Sequence, residues 1–182
     1  MAISEVLKKA IVLMPGKEKD KLLLRLINKD SILIQRLEFE LIEHGDTVQQ
    51  RRDEIKQRIA RVAARTHDTP GWMMMDMRSF NGEITQHVKV TKDKYGEIEL
   101  TLYLFLTFFE YQSAMLLIHN SRSDSCAEYI AKRVDSLVKK LNKFNPDYYV
   151  DFERDMQKLL DYVHSHCSRS YARELGIVKS WP

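Results

Sequence analysis

The side chains with most chemical potential in this chain are histidines, and two groupings invite a metal. His67 and Asp68 are adjacent, with His44 before them and Asp124 and Asp135 after. Neutral imidazoles and carboxylates converging on a divalent cation would acidify a bound water for phosphoester hydrolysis. Such ligands need to be presented on a helix, whereas His67-Asp68 runs into Thr69-Pro70-Gly71, a loop signature. The second group, His164-Ser165-His166-Cys167, places three soft-metal ligands at a helix end. Residues two apart on a helix point about 200° apart, so these converge only where the chain unwinds. A zinc site would also need a second ligand cluster, and none follows. A frayed C-terminal helix end, where histidine suits the helix dipole, is the expectation.

Glu40 and Glu43 have the i, i+3 spacing that puts two carboxylates on one helix face, as magnesium held against a nucleoside triphosphate requires. The facing pair is missing, because Glu43 with Asp46 only overlaps the first. Cys126 and Cys167 belong to no CxxC pair and lack a neighbouring His and acid, and no GxSxG, GxxxxGK[ST] or GxGxxG occurs. The sequence therefore predicts no catalytic residue and no cofactor. His44, His67, Asp68, His164 and His166 stand as weak metal candidates.

The stronger candidate for ligand contact is a basic helix expected from Asp46, with Gln49 completing a capping box, to about Thr66. Val48, Ile55, Ile59 and Val62 form a narrow apolar stripe; Arg51, Arg58, Arg61 and Arg65 line one flank, and Arg52 with Lys56 the other. Arginines in this setting contact phosphates with salt-sensitive affinity, or pair with acids of neighbouring helices, the commoner outcome. A second basic group, Lys132, Arg133, Lys139, Lys140 and Lys143, reinforces the first only if folding brings both to one side. Trp72 with Met73, Met74, Met75 and Met77 offers either an adaptable docking surface or core packing.

These side chains must be positioned around the apolar stretch 97–119, EIELTLYLFLTFFEYQSAMLLIH. Glu99, Glu110, Gln112 and Ser113 argue against a membrane span. Over 97–107 apolar residues alternate with polar ones, and 87–91 alternates too, so a hairpin across Lys92 to Gly96 is the competing reading. The run continues to Leu116 without Gly or Pro, beyond the usual strand length, and this favours a helix. Ordinary apolar and charged fractions of 44% and 30% in 182 residues favour one globular domain, 1–182, needing no disulfide staple. The net charge of +3 predicts solubility alone, while Cys126 and Cys167, far apart and in no CxxC pair, and a first apolar run whose charges make a poor signal peptide point to a reducing cytoplasm.

Around that centre the glycines and prolines fall between periodic segments. Ser4 caps a first helix with Val6, Leu7, Ala10 and Ile11 on one face, stopped by Pro15-Gly16. A second runs from about Lys17 to Ile27. A third, Ser31 to His44, is expected to bury Leu33, Ile34, Leu37, Leu41 and Ile42. Short connectors predict antiparallel neighbours among the first four helices. A short helix from Trp72, interrupted at Asn81-Gly82, precedes another over 83–92. Ser125 with Glu128 forms a capping box for a helix presenting Ile130, Val134, Leu137, Val138 and Leu141. Asn145-Pro146 opens the next, with Tyr149, Phe152, Met156, Leu159, Leu160 and Val163, and a last turn or two ends at Gly176.

The unit 18–43, EKDKLLLRLINKDSILIQRLEFELIE, resembles one helix-turn-helix unit of a HEAT or armadillo type α-solenoid. The resemblance implies an architecture and no functional residues. The expected fold is all-α, an irregular bundle or short HEAT-like stack of seven or eight helices. The expected function is a non-catalytic interaction or scaffold role with a protein partner or a second copy and no membrane. Nucleic-acid binding through Arg51 to Arg65 is the alternative, and a metal-dependent phosphohydrolase the third reading.

Overall fold

The computed structural model describes residues 3–117 and 119–181. Among them there is no strand. Ten α-helices follow in order: α1 Glu5–Leu13, α2 Gly16–Ile27, α3 Ser31–Leu37, α4 Val48–Ala63, α5 Pro70–Thr91, α6 Lys94–Tyr111, α7 Ser113–Leu117, α8 Asp124–Leu141, α9 Tyr149–Ser165 and α10 Arg169–Glu174. A π-helical turn, Glu38–Ile42, follows α3, and a 3₁₀ turn, Pro146–Tyr148, precedes α9. The protein is all-α, with eight helices of seven residues or more among the described residues.

The centre is α6, enclosed by α4, α5, α8 and α9. Every residue from Leu104 to Phe109 is buried, as are Ile98, Leu100 and Leu102. A helix apolar all round must be buried all round. The alternation in 97–107 is thus a by-product of covering a whole circumference. The central helix is shorter than expected, because the chain breaks at Gln112 and restarts as α7. The Gln112 side-chain amide donates to the carbonyls of Ala63 and Arg65, at 2.7 and 2.8 Å, and so receives the C-terminal end of α4.

The two segments expected on either side of Asn81-Gly82 are one helix, α5. Asn81 stays helical, its amide donating to the Met77 carbonyl and the Tyr129 hydroxyl. Thr69 caps α5 and Pro70 takes its first position, where the missing N–H costs nothing. Two residues, Lys92 (φ 61°) and Asp93, then reverse the chain into α6.

Asp93 joins three helices. Its carboxylate accepts from the Gly96 amide as the cap of α6, from Arg52 of α4 in a two-pronged pair at 2.6 Å, and lies 3.1 Å from His87 Nε2 of α5. Burial opposes its charge, but the hydrogen bonds from His87, Arg52 and the Gly96 amide prevail and hold its carboxyl far below the usual range. A β-carbon at Gly96 would fall inside the Asp93 carboxylate and the Arg52 guanidinium, so only glycine fits.

The C-terminal helices pack as their stripes predict. The α8 and α9 residues named from periodicity are buried, apart from Tyr149, which is half-buried. Two starts differ. Helix α8 begins at Asp124, and Glu128 pairs with Lys132 rather than reaching back as a capping box. Helix α4 begins at Val48 without a side-chain cap, so the Asp46–Gln49 box is absent; left-handed His44 and Gly45 (φ 53° and 77°) delay the start, and Gln49 pairs with Asp53.

Candidate interaction surface

The first three helices break the pattern set by the rest. Periodicity correctly gives α1, capped by Ser4 Oγ on the Leu7 amide, and α2, ended by Asn28. Asp30 caps α3, its carboxylate accepting from the amides of Ile32 and Leu33. Their packing is not the expected bundle of antiparallel neighbours. Among the described residues before Ile55, only Phe39 is buried. Leu41 and Ile42, expected in the core, are exposed, because the π-helical turn rotates the stripe and puts Phe39 inward instead.

What remains is a display of aliphatic side chains. Ile3, Val6, Leu7, Val12 and Leu13 stand exposed around α1, Val6 at 80% and Leu13 at 82%. Leu23, Leu24 and Leu26 do so on α2, and Leu41 and Ile42 beyond α3. The sequence carried one signal for this. Leu22-Leu23-Leu24 followed by Leu26-Ile27 spans too wide an arc for one neighbour to cover.

Few bonds tie this arm to the body. Lys19 Nζ of α2 donates to the Val12 carbonyl of α1. Gln86 of α5 donates to Gln35 of α3 at 2.8 Å, and Arg51 stacks its guanidinium over Phe39 at 5.6 Å.

The arginines of α4 divide. Arg51 forks onto Glu43, which also accepts from Thr47, and these bonds hold the Glu43 carboxyl below its ordinary range. Arg58 pairs with Glu83 of α5. Arg52 and Lys56 pair with Asp93 and Glu99. Among the described residues Arg61 and Arg65 form no ion pair, and both are exposed. A groove of about 380 Å³ between α3, α4 and α5 is lined by Arg51, Arg58, Glu54, Glu83 and His87, mixed in sign. The second basic group sits on α8, where Lys132, Lys139 and Lys140 pair with Glu128, Asp135 and Glu97.

The metal candidates are scattered. His44 is exposed in the left-handed turn. His67 is buried with Nε2 3.0 Å from Asp76, while Asp68 is exposed. Asp124 lies against His119 and accepts from the Tyr171 hydroxyl at 2.8 Å, which pushes that phenol up to about 12; Asp135 serves Lys139. Glu40 pairs with Arg36, away from the bonds of Glu43. The C-terminal group is not frayed: His166 and Cys167 are buried, and the Cys167 amide donates to the Leu116 carbonyl. His164 turns to the carbonyls of Ile177 and Val178, and burial lowers the affinity of His166 for a proton. Among the described residues no three His, Cys, Asp or Glu side chains are grouped as a metal would need.

Among the described residues no helix is long and apolar enough to cross a membrane. Comparison of the chain with known protein families, curated proteins and solved structures finds no match.

Proposed function

We propose that this chain is a non-catalytic interaction protein whose binding element is the N-terminal arm, residues 3–42. The observation that carries the reading is the ten exposed aliphatic side chains on an arm with one buried residue. Exposed aliphatic side chains in this number on one arm mark a binding element. On the same footing, the Leu-rich pair over 18–43 is proposed as a HEAT- or armadillo-like hairpin, presenting its side chains outward. The nucleic-acid reading is weaker, because Arg51 and Arg58 are paired with carboxylates and leave Arg61 and Arg65 to meet phosphate.

Quantitative affinity capture from a lysate of the native host, comparing the full chain with its Leu13→Glu/Leu24→Glu variant, tests the proposal. Proteins retained by the parent and depleted at least tenfold with the variant are expected. Identical captured sets would overturn it. Salt-titrated binding to mixed DNA and RNA, lost in Arg61→Glu/Arg65→Glu, would put nucleic acid first.

A further inference from the structure

We infer that the groove between α5 and α8 is an anion site, built for a phosphate group carrying two charges, either inorganic phosphate or a phosphate monoester. The site uses none of the arm's residues and stands apart from the interaction proposal.

Spacing builds the groove. Ser125, Glu128, Tyr129, Lys132 and Arg133 recur three and four residues apart along α8 and so share one face, and Arg78 of α5 completes the lining. The space between them is about 330 Å³, at the small end of ligand pockets. Tyr129 is its fixed part. The residue is buried, its ring meets Phe105 of α6, and its hydroxyl accepts from Asn81 of α5 at 2.6 Å.

The charge in this groove is unanswered. Arg78 and Arg133 both set their guanidinium carbons over the Tyr129 ring, 5.2 and 5.5 Å from its centre. Among the described residues neither pairs with a carboxylate. Glu128, the one carboxylate in the lining, is taken by Lys132 at 2.6 Å, and Asp124, beside Ser125, by His119 and Tyr171. On α4, by contrast, Arg51, Arg52 and Arg58 each meet a carboxylate. Two cations held at one ring repel each other, and stacking at an exposed site does little to offset that. A doubly charged anion between them removes the repulsion.

The donors select which anion. Each guanidinium offers its N–H groups in a planar fork that suits phosphate. The Tyr129 oxygen accepts from Asn81, while its own proton meets no acceptor among the described residues. Burial pushes that phenol above its ordinary value, so the proton is kept. Ser125 adds a hydroxyl in the first turn of α8, where the helix dipole favours negative charge. A ligand that answers these groups must consist of acceptors. Phosphate does, and its charge of about −1.5 to −2 at pH 7 matches two unpaired guanidiniums. A carboxylate brings one charge and fills one fork.

Isothermal titration calorimetry of the full chain at low ionic strength, with inorganic phosphate, phenyl phosphate and acetate, tests the site. One-to-one binding of both phosphates with Kd below about 1 mM is expected, with acetate at least about tenfold weaker. Arg78→Gln and Arg133→Gln should each weaken phosphate at least about tenfold while keeping the parent's circular dichroism spectrum. Tyr129→Phe, which keeps the ring beneath both guanidiniums and removes the donor, should weaken it about fivefold. Arg173→Gln, at an exposed arginine of α10, should leave it unchanged. Tighter binding of phenyl phosphate than of the free ion identifies a monoester as the ligand, and the reverse identifies the ion. Phosphate that fails to bind, that binds no better than acetate, or that is lost equally in Arg173→Gln overturns the inference. So does a chain that ignores both phosphates yet releases a DNA duplex on Arg78→Gln/Arg133→Gln, which assigns the two arginines to nucleic acid.

Discussion

Helices α2 and α9 are alike in sequence and opposite in fate. Each carries an apolar stripe broken by charges. In α9, Phe152, Met156, Leu159, Leu160 and Val163 are all buried against α6, α8 and α10, whereas α2 buries nothing. The difference lies in the neighbours. Helix α9 meets the buried apolar faces of α6, which α4, α5 and α8 also cover, and α2 makes no comparable contact with α6. Amphipathicity guarantees a face to cover; topology decides what covers it.

The largest break in that comparison comes from emptying the centre. Phe108→Ala, at a fully buried position of α6, is expected to cost about 4 kcal/mol in urea unfolding. Leu24→Ala on the arm should leave the same transition within about 0.5 kcal/mol. Equal losses would mean that the arm belongs to the body's core.

Asp93→Ala follows, at about 3 kcal/mol, since it uncaps α6 and strips Arg52 of its main partner. The pH dependence fixes the mechanism. Because the folded Asp93 carboxyl is held below its unfolded value, its contribution is complete above about pH 4 and fades as pH falls through the folded value. Thermal melts should therefore steepen in their acid dependence below about pH 4, and Asp93→Asn should flatten that limb. Gly96→Ala comes next, at about 2 kcal/mol, because the new methyl must part Asp93 from Arg52. An unchanged melt would show that the three-helix junction tolerates loosening.

The smallest effect concerns chemistry. Burial pushes the Cys126 and Cys167 thiols up to about 12 and about 11. Neither should react with a thiol reagent at pH 8 until the body unfolds, and Leu13→Glu/Leu24→Glu should not hasten the reaction. Faster labelling in that variant would show that the arm shields the core.

Much of this was legible from residue order. Stripes on α8 and α9 predicted their buried faces, Ser4 marked the start of α1, and the length of the central run favoured helix over strand. Other features depend on contacts remote in sequence. Nothing near Gln112 announces a break, which follows from the α4 carbonyls it serves. Asn81-Gly82 reads as punctuation until Tyr129, from another helix, supplies a partner. The π-helical turn that exchanges Phe39 for Leu41 and Ile42 shifts the stripe by a fraction of a turn, beyond what periodicity resolves. The arginine stripe was placed on the right helix, but its carboxylate partners come from α5, α6 and the turn after α3.

Phe39 has a consequence in time as well as in space. As the single buried side chain among the described residues ahead of Ile55, it divides amides whose opening requires the body to open from amides that need nothing else to move. In the free chain placed in deuterated water, α1 and α2 should exchange at rates near those of free peptides, while α6 waits for global unfolding. Once the arm is covered, the same two helices should slow together, and the size of that slowing is the free energy of the contact that covers them.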